Sequence, residues 1–242
     1  YKGIGEKPNN FLAHYFLYNE KNTLSNKEYN LISEKDFYNL ETNNKKELME
    51  MLEKAVDDNS TFVSLQKEKF YYRMLTNILR KSGNSFFNSN SSNSISDFLE
   101  NSIKNIQFKD TLLYQSNRYY KSFFNNYFTT GLVADNQKCV DLFLNELNNN
   151  QKNYIIKLIG KGISFYNTND ITSYYNALVK LVDDNNELAK YNSLYERISS
   201  LSKGSPSPNF NFKNMQGKKV SLTSLKGKLV YIDVWATWCG PC

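Results

Sequence analysis

Residues Lys226 to Cys242 read KGKLVYIDVWATWCGPC, and the reading of the C-terminal part turns on them. Leu229 to Val234 is a short β-branched and apolar run that predicts a buried strand over 228–234. Trp235-Ala236-Thr237-Trp238 then leads into Cys239-Gly240-Pro241-Cys242, two cysteines with two residues between them where a strand hands over to a helix. Such a pair can close a small, easily reduced disulfide. A helix starting near Cys239 would direct unpaired amide N–H groups and a positive dipole end at that sulfur, which favours its thiolate. Proline is tolerated in a first helical turn, so Gly240 and Pro241 suit the turn between the two sulfurs.

Working outward, Lys203-Gly204-Ser205-Pro206-Ser207-Pro208 breaks any preceding helix and marks a boundary. Phe210 and Phe212 alternate, Met215-Gln216-Gly217-Lys218 makes a turn, and Val220 to Leu222 returns as a second strand. Leu225 sits on a short turn or helix before the strand.

These residues resemble the thioredoxin-like disulfide oxidoreductases with a WCGPC active site. Ser205-Pro206-Ser207-Pro208-Asn209-Phe210, Gly217 to Leu222 and Leu225-Lys226-Gly227-Lys228 resemble its bacterial cell-envelope branch, the TlpA/ResA family. The resemblance covers about the last forty residues. It implies dithiol–disulfide exchange, with Cys239 as nucleophile, Cys242 as resolving thiol and no cofactor beyond the redox-active Cys239–Cys242 disulfide. Gly-Pro between the cysteines points to a reductant, because the intervening residues bias the potential. Trp238 is expected beside the disulfide and Trp235 beneath it.

Asp233 shares a strand face with Leu229, Tyr231 and Trp235. Its position matches the buried aspartate that thioredoxins use to move a proton at the resolving cysteine, and desolvation raises a carboxyl pKa as such a role needs. A solvated Asp on an edge strand is the competing reading. Many members of the envelope branch carry Asn here, so Asp233 departs toward the thioredoxin pattern.

The resemblance also implies an active-site helix, flanking strands and a cis-proline loop beyond Cys242, so a longer protein is expected. Tyr1 to Gly5, followed by Pro8-Asn9-Asn10, is similar to the stretch after an N-terminal β domain in multidomain envelope proteins of this type. The expected partners are a client protein with a thiol or disulfide and an upstream membrane or envelope reductant. The expected location is the periplasm or cell envelope, with room for a lipid or membrane anchor outside the chain.

The remaining chain reads as helix. Leu48, Leu52 and Val56 form one stripe; Val63, Phe70, Met74 and Ile78 form another, on a helix expected to end at Gly83 and the polar run 88–94, read as a loop. Leu112-Leu113, Tyr119-Tyr120, Phe123-Phe124 and Tyr127-Phe128 predict one helix ending near Gly131. Val140, Phe143, Leu144 and Leu147 mark the next, from about Asp135, with the helix of Tyr154, Leu158 and Ile159 as its partner. Asp170 caps a helix bearing Tyr174, Leu178 and Val182, and Leu188, Tyr191, Tyr195 and Ile198 carry a last one to Lys203-Gly204. The fold class is therefore a mainly α domain of helical hairpins, 1–203, followed by the start of an α/β thioredoxin-like domain, 204–242. The tetratricopeptide signature is not present.

The 242 residues, 40% hydrophobic and 15% aromatic, supply a core. The net charge of +6 sits mostly in residues 203–242, which hold six lysines and one acid. The helical part is nearly neutral, which argues against a nucleic-acid partner. Three cysteines and one histidine exclude a disulfide scaffold and leave a zinc site short of ligands. A haem attachment would need a histidine after Cys242, and the preceding strand and the WCGPC wording argue against it. Cys139 reads as a core thiol and His14 as structural. No apolar run reaches the roughly eighteen residues of a membrane span. Two other functions stay open at this point: a non-enzymatic helical interaction module with an incomplete redox domain, or a related envelope peroxidase or cytochrome-maturation factor.

Overall fold

The computed structural model describes residues 5–56, 61–88, 94–167, 170–201, 204–233 and 236–240. Its described helices, in order, are α1 (Glu6–Asn22), α2 (Asn26–Leu31), α3 (Glu34–Ala55), α4 (Thr61–Asn88), α5 (Ser94–Lys104), α6 (Thr111–Ser116), α7 (Arg118–Val133), α8 (Gln137–Glu146), α9 (Asn149–Gly162), α10 (Ile171–Leu181) and α11 (Asn185–Ser199). A two-stranded antiparallel sheet follows, β1 (Asn211–Lys213) and β2 (Lys219–Ser221), with Phe212 opposite Val220. The chain is mainly α, as expected from the period of its apolar residues.

Local chemistry sets most of the helix starts. Ser25 and Asn148 form capping boxes with Glu28 and Gln151, and Ser33, Asp110, Asn117, Asn136 and Asp184 each accept backbone N–H groups of the first turn. Asp170 precedes α10 but its side chain caps nothing, contrary to expectation. α1 begins at Glu6, after Gly5 at φ 79°, and Pro8 lies in its first turn, where a missing N–H is harmless.

The ends of α4 and α7 fall near those expected, at the start of the polar run and just past Gly131, but neither Gly83 nor Gly131 is the terminating residue. α4 runs through Gly83 to Asn88, and α7 runs through Gly131 to Val133. Neither glycine terminates its helix, and only Gly131 serves close packing. A Cβ on Gly131 would lie 2.7 Å from Cys139 Sγ and 2.8 Å from Phe87 Cε1, whereas one on Gly83 would only touch Thr130 Cγ2 at 3.5 Å. The aromatic doublets Tyr119-Tyr120, Phe123-Phe124 and Tyr127-Phe128 all lie on α7, but the Leu112-Leu113 doublet expected on the same helix lies on α6. Asn117 separates the leucine pair from the aromatic doublets, ending α6 and capping α7 with its Oδ1 on the N–H groups of Tyr119 and Tyr120. The loop expected at 88–94 falls largely outside the described residues; Asn88 ends α4 and Ser94 opens α5.

α7 is the hub. Tyr120, Phe123, Phe124, Tyr127, Phe128 and Leu132 are all buried, a broad apolar face that needs more than one neighbour to cover it. It packs on α4 most extensively, and on α6, α8, α9 and α10. α8 and α9, expected to pair with each other, both pack on α7 instead, and α9 also on α10. Rings interlock edge to face, as in Tyr72–Tyr120 and Phe108–Phe128 with centroids 4.9 and 5.1 Å apart. A second, smaller core joins Phe11, Leu48, Leu52, Val56, Val63 and Phe70. The expected stripes of α3 and α4 are thus buried, Val63 and Phe70 in the smaller core and Met74 and Ile78 in the larger.

Candidate functional site

The C-terminal segment builds up from its turns. Asn214 Oδ1 accepts the backbone N–H groups of Gln216 and Lys218 at 3.1 and 2.9 Å, and Gly217 adopts φ 75°, which closes the hairpin of β1 and β2. Ser221 caps a 3-10 turn over Leu222–Leu225, and Gly227 at φ 84° redirects the chain. No residue described between 204 and 240 is buried.

The strand expected over 228–234 is not found: residues 228–233 pair with nothing regular, and Val234 lies outside the described residues. A central strand exists only when neighbouring strands take its backbone groups and packed layers cover its faces. β1 and β2 pair with each other, and Leu229 and Tyr231 are exposed, the latter by 90%. Asp233 is exposed as well, so the burial expected of it is not met here.

At the motif, Cys239 donates its backbone N–H to the Ala236 carbonyl at 2.9 Å, closing a turn where a helix start is expected. Cys239 is half-buried and held in a disulfide. Trp238 is 86% exposed and does not pack as expected. A Cβ on Gly240 would meet nothing within 4 Å. Trp235, Pro241 and Cys242 lie outside the described residues.

Cys139 contrasts with this in every respect. It is free, 0% exposed, and its Sγ faces the carbonyls of Tyr127 and Phe128 at 3.7 and 4.0 Å. Burial pushes its thiol far above the ordinary range. His14 is exposed on α1. Among the described residues no helix is long and apolar enough to cross a membrane.

The structure also assembles a cluster that no local pattern announces. Arg73 of α4 donates to Tyr15 Oη at 3.1 Å and to Asn19 Oδ1, the Tyr15 and Tyr119 hydroxyls lie 3.5 Å apart, and Arg118 donates to Tyr119 Oη at 2.9 Å. Burial pushes the Tyr119 phenol up, but hydrogen bonds from Tyr15 and Arg118 and the two guanidinium charges outweigh it, leaving the group below 10.0. These residues come from α1, α4 and α7, so sequence spacing gave no signal.

No family model matches the chain, and no solved structure does. A stretch of 52 residues is 44% identical to the thiol-disulfide oxidoreductase ResA of Bacillus subtilis (strain 168), covering 22% of this chain and 29% of that protein. Over the same length it is 38% identical to ResA of Bacillus anthracis and to the thioredoxin-like protein YneN of Bacillus subtilis (strain 168), covering 30% and 31% of those proteins. The chain thus spans less than a third of the length of these relatives. The similarity supports a thioredoxin-like relationship and a general redox function.

Proposed function

We propose that this chain carries the dithiol–disulfide centre of a thiol-disulfide oxidoreductase, working as a reductase of client protein disulfides in the bacterial cell envelope. The 52-residue similarity to ResA and YneN carries the reading, and the disulfide state of Cys239 within a WCGPC motif supports it.

In the reduced form, the Cys239 thiolate attacks one sulfur of the client disulfide. A Cys239–client bond forms, the client S–S bond breaks, and the first client sulfur leaves as thiolate and takes a proton. Cys242 then loses its proton and attacks Cys239 Sγ, releasing the second client thiol and closing Cys239–Cys242. Two electrons and two protons have passed from the dithiol to the client, and an envelope reductant restores the dithiol. The exposed, one-turn setting of residues 236–240 leaves Cys239 open to a protein substrate.

Asp233 is assigned the proton at Cys242 on the resemblance, in an arrangement where packing covers it. Asp233→Asn should then slow resolution of the mixed disulfide more than its formation; equal slowing of both steps removes Asp233 from the mechanism.

The direct test is dithiothreitol-coupled insulin reduction by the intact protein. Turnover lost in Cys239→Ser is expected, and a mixed disulfide should accumulate in Cys242→Ser, identifying the client by mass. Insulin reduction no faster than dithiothreitol alone, with no trapped client, would leave the helices as an interaction module.

A further inference from the structure

A cavity of about 300 Å³ lies where α2 and the end of α1 meet α3 and α4. Arg73, Asn77 and Arg80 of α4, Glu41 of α3 and Tyr29 of α2 line it. Positions 73, 77 and 80 share one helix face, so α4 presents two guanidinium groups with an amide between them. This site is separate from the redox segment and independent of the function proposed for it.

Neither arginine is held in an ion pair among the described residues. Among the described residues the ion pairs are Lys67–Glu53, Lys109–Glu146, Lys138–Glu100 and Lys180–Asp135, and none involves an arginine. Arg73 donates from Nη1 to Tyr15 and Asn19, and Arg80 donates from Nη2 to Ser122 Oγ at 3.0 Å. All three acceptors are neutral. Each guanidinium has five N–H bonds, so each keeps donors that these contacts leave over, and a guanidinium can offer two of them side by side to an acid group.

Glu41 is the negative group of the cavity and is 7% exposed. Burial disfavours its ionised form, partly eased by the hydrogen bond from Asn77 Nδ2 at 3.0 Å and by the Arg73 charge. Lys81 adds positive potential beside the same wall, with Nζ 2.7 Å from the Tyr29 carbonyl oxygen and 4.8 Å from its ring centroid. The cavity is at the small end of the range for ligand sites, roughly 300–1,000 Å³.

We propose that this cavity binds a small dianionic oxyanion, a phosphate or a short dicarboxylate, between Arg73 and Arg80. Two guanidiniums against one carboxyl leave it net positive, and the anion takes the donors that the protein leaves over.

Isothermal titration of the chain at low ionic strength with inorganic phosphate, and separately with succinate, tests this. Saturable one-site binding of at least one anion in the millimolar range or tighter is expected, and which of them binds names the acid class. Arg80 is exposed at the rim, so Arg80→Gln should fold, with helicity checked by circular dichroism, and should weaken binding by about tenfold or more, the worth of one charge-assisted contact. Glu41→Gln retains an acceptor for Asn77 and removes the opposing charge, so it should tighten binding several-fold, a gain that damage to the fold would not produce. Failure of both anions to saturate, an unchanged affinity in folded Arg80→Gln, or weaker binding in Glu41→Gln would each overturn the proposal.

Discussion

Two cysteines in the same chain have opposite surroundings, and the difference is chemical. Cys139 sits under α7 with no exposure and a thiol pushed up by burial, whereas Cys239 lies half-buried on an exposed turn. After reduction, iodoacetamide should modify Cys239 at least tenfold faster than Cys139, because the thiolate is the nucleophile and access gates it. Peptide mapping that found Cys139 labelled first in the folded protein would contradict the described core. Glu41 supplies a second residue-level expectation. Its folded pKa is raised above 4.5, so through the window from 4.5 upward the folded state binds more protons than the unfolded one, and stability falls as pH rises. Above that window the ionised carboxylate is a constant cost. Glu41→Gln should therefore melt higher than the parent at pH 7, with the difference shrinking toward pH 4. A difference that grew on acidification would mean that Glu41 is held as a stabilising anion.

At the scale of the element, glycine in a helix has two different meanings here. Gly131 of α7 lets Cys139 and Phe87 approach its backbone, and a methyl group would have to displace packed core atoms on both. Gly131→Ala should destabilise by about 1–3 kcal/mol, more than the propensity gained. Gly83 of α4 has room for a methyl at ordinary contact distance from Thr130, so Gly83→Ala should stabilise by about 0.5–1 kcal/mol. Urea denaturation of the two variants should move the midpoint in opposite directions; parallel shifts would refute the packing described between α4 and α7. Local propensity alone reads both glycines as stops, whereas α4 continues past Gly83 to Asn88, at the start of the polar run, and α7 continues past Gly131 to Val133. Asn117 shows the converse, a cap between Leu112-Leu113 and the aromatic doublets, which the 3.6-residue period alone joins into one helix.

At the scale of the molecule, the helices bury a large aromatic core, while residues described between 204 and 240 bury nothing and the hairpin makes no extensive packing with any helix. We expect 1–203 to behave as its own folding unit. Limited proteolysis should cut within 204–233 first and leave a helical product, and that product should keep its circular dichroism signal and melt within a few degrees of the chain. A large loss of stability on removing 204–242 would show that the segment is part of the helical core. The exposed Leu229 and Tyr231 should at the same time make the segment prone to pair with other strands, since unpaired apolar backbone is a template for association.

By itself the sequence determined the helical class, the buried faces of α3, α4 and α7, the hairpin of β1 and β2, and the WCGPC motif, because each depends on periodicity or on residues adjacent in the chain. It could not determine that α7 is the hub, that Gly83 and Gly131 lie within helices, or that Arg73 and Arg80 share a cavity with Glu41. Those outcomes depend on which surfaces meet, and residues such as Tyr15, Arg73 and Tyr119 come together only when three helices have packed. Residues 228–233 show the same limit from the other side. Their continuous apolar run is that of a buried strand, but a strand is completed by hydrogen bonds to neighbours and by layers over its faces, and the tertiary structure supplies neither to them.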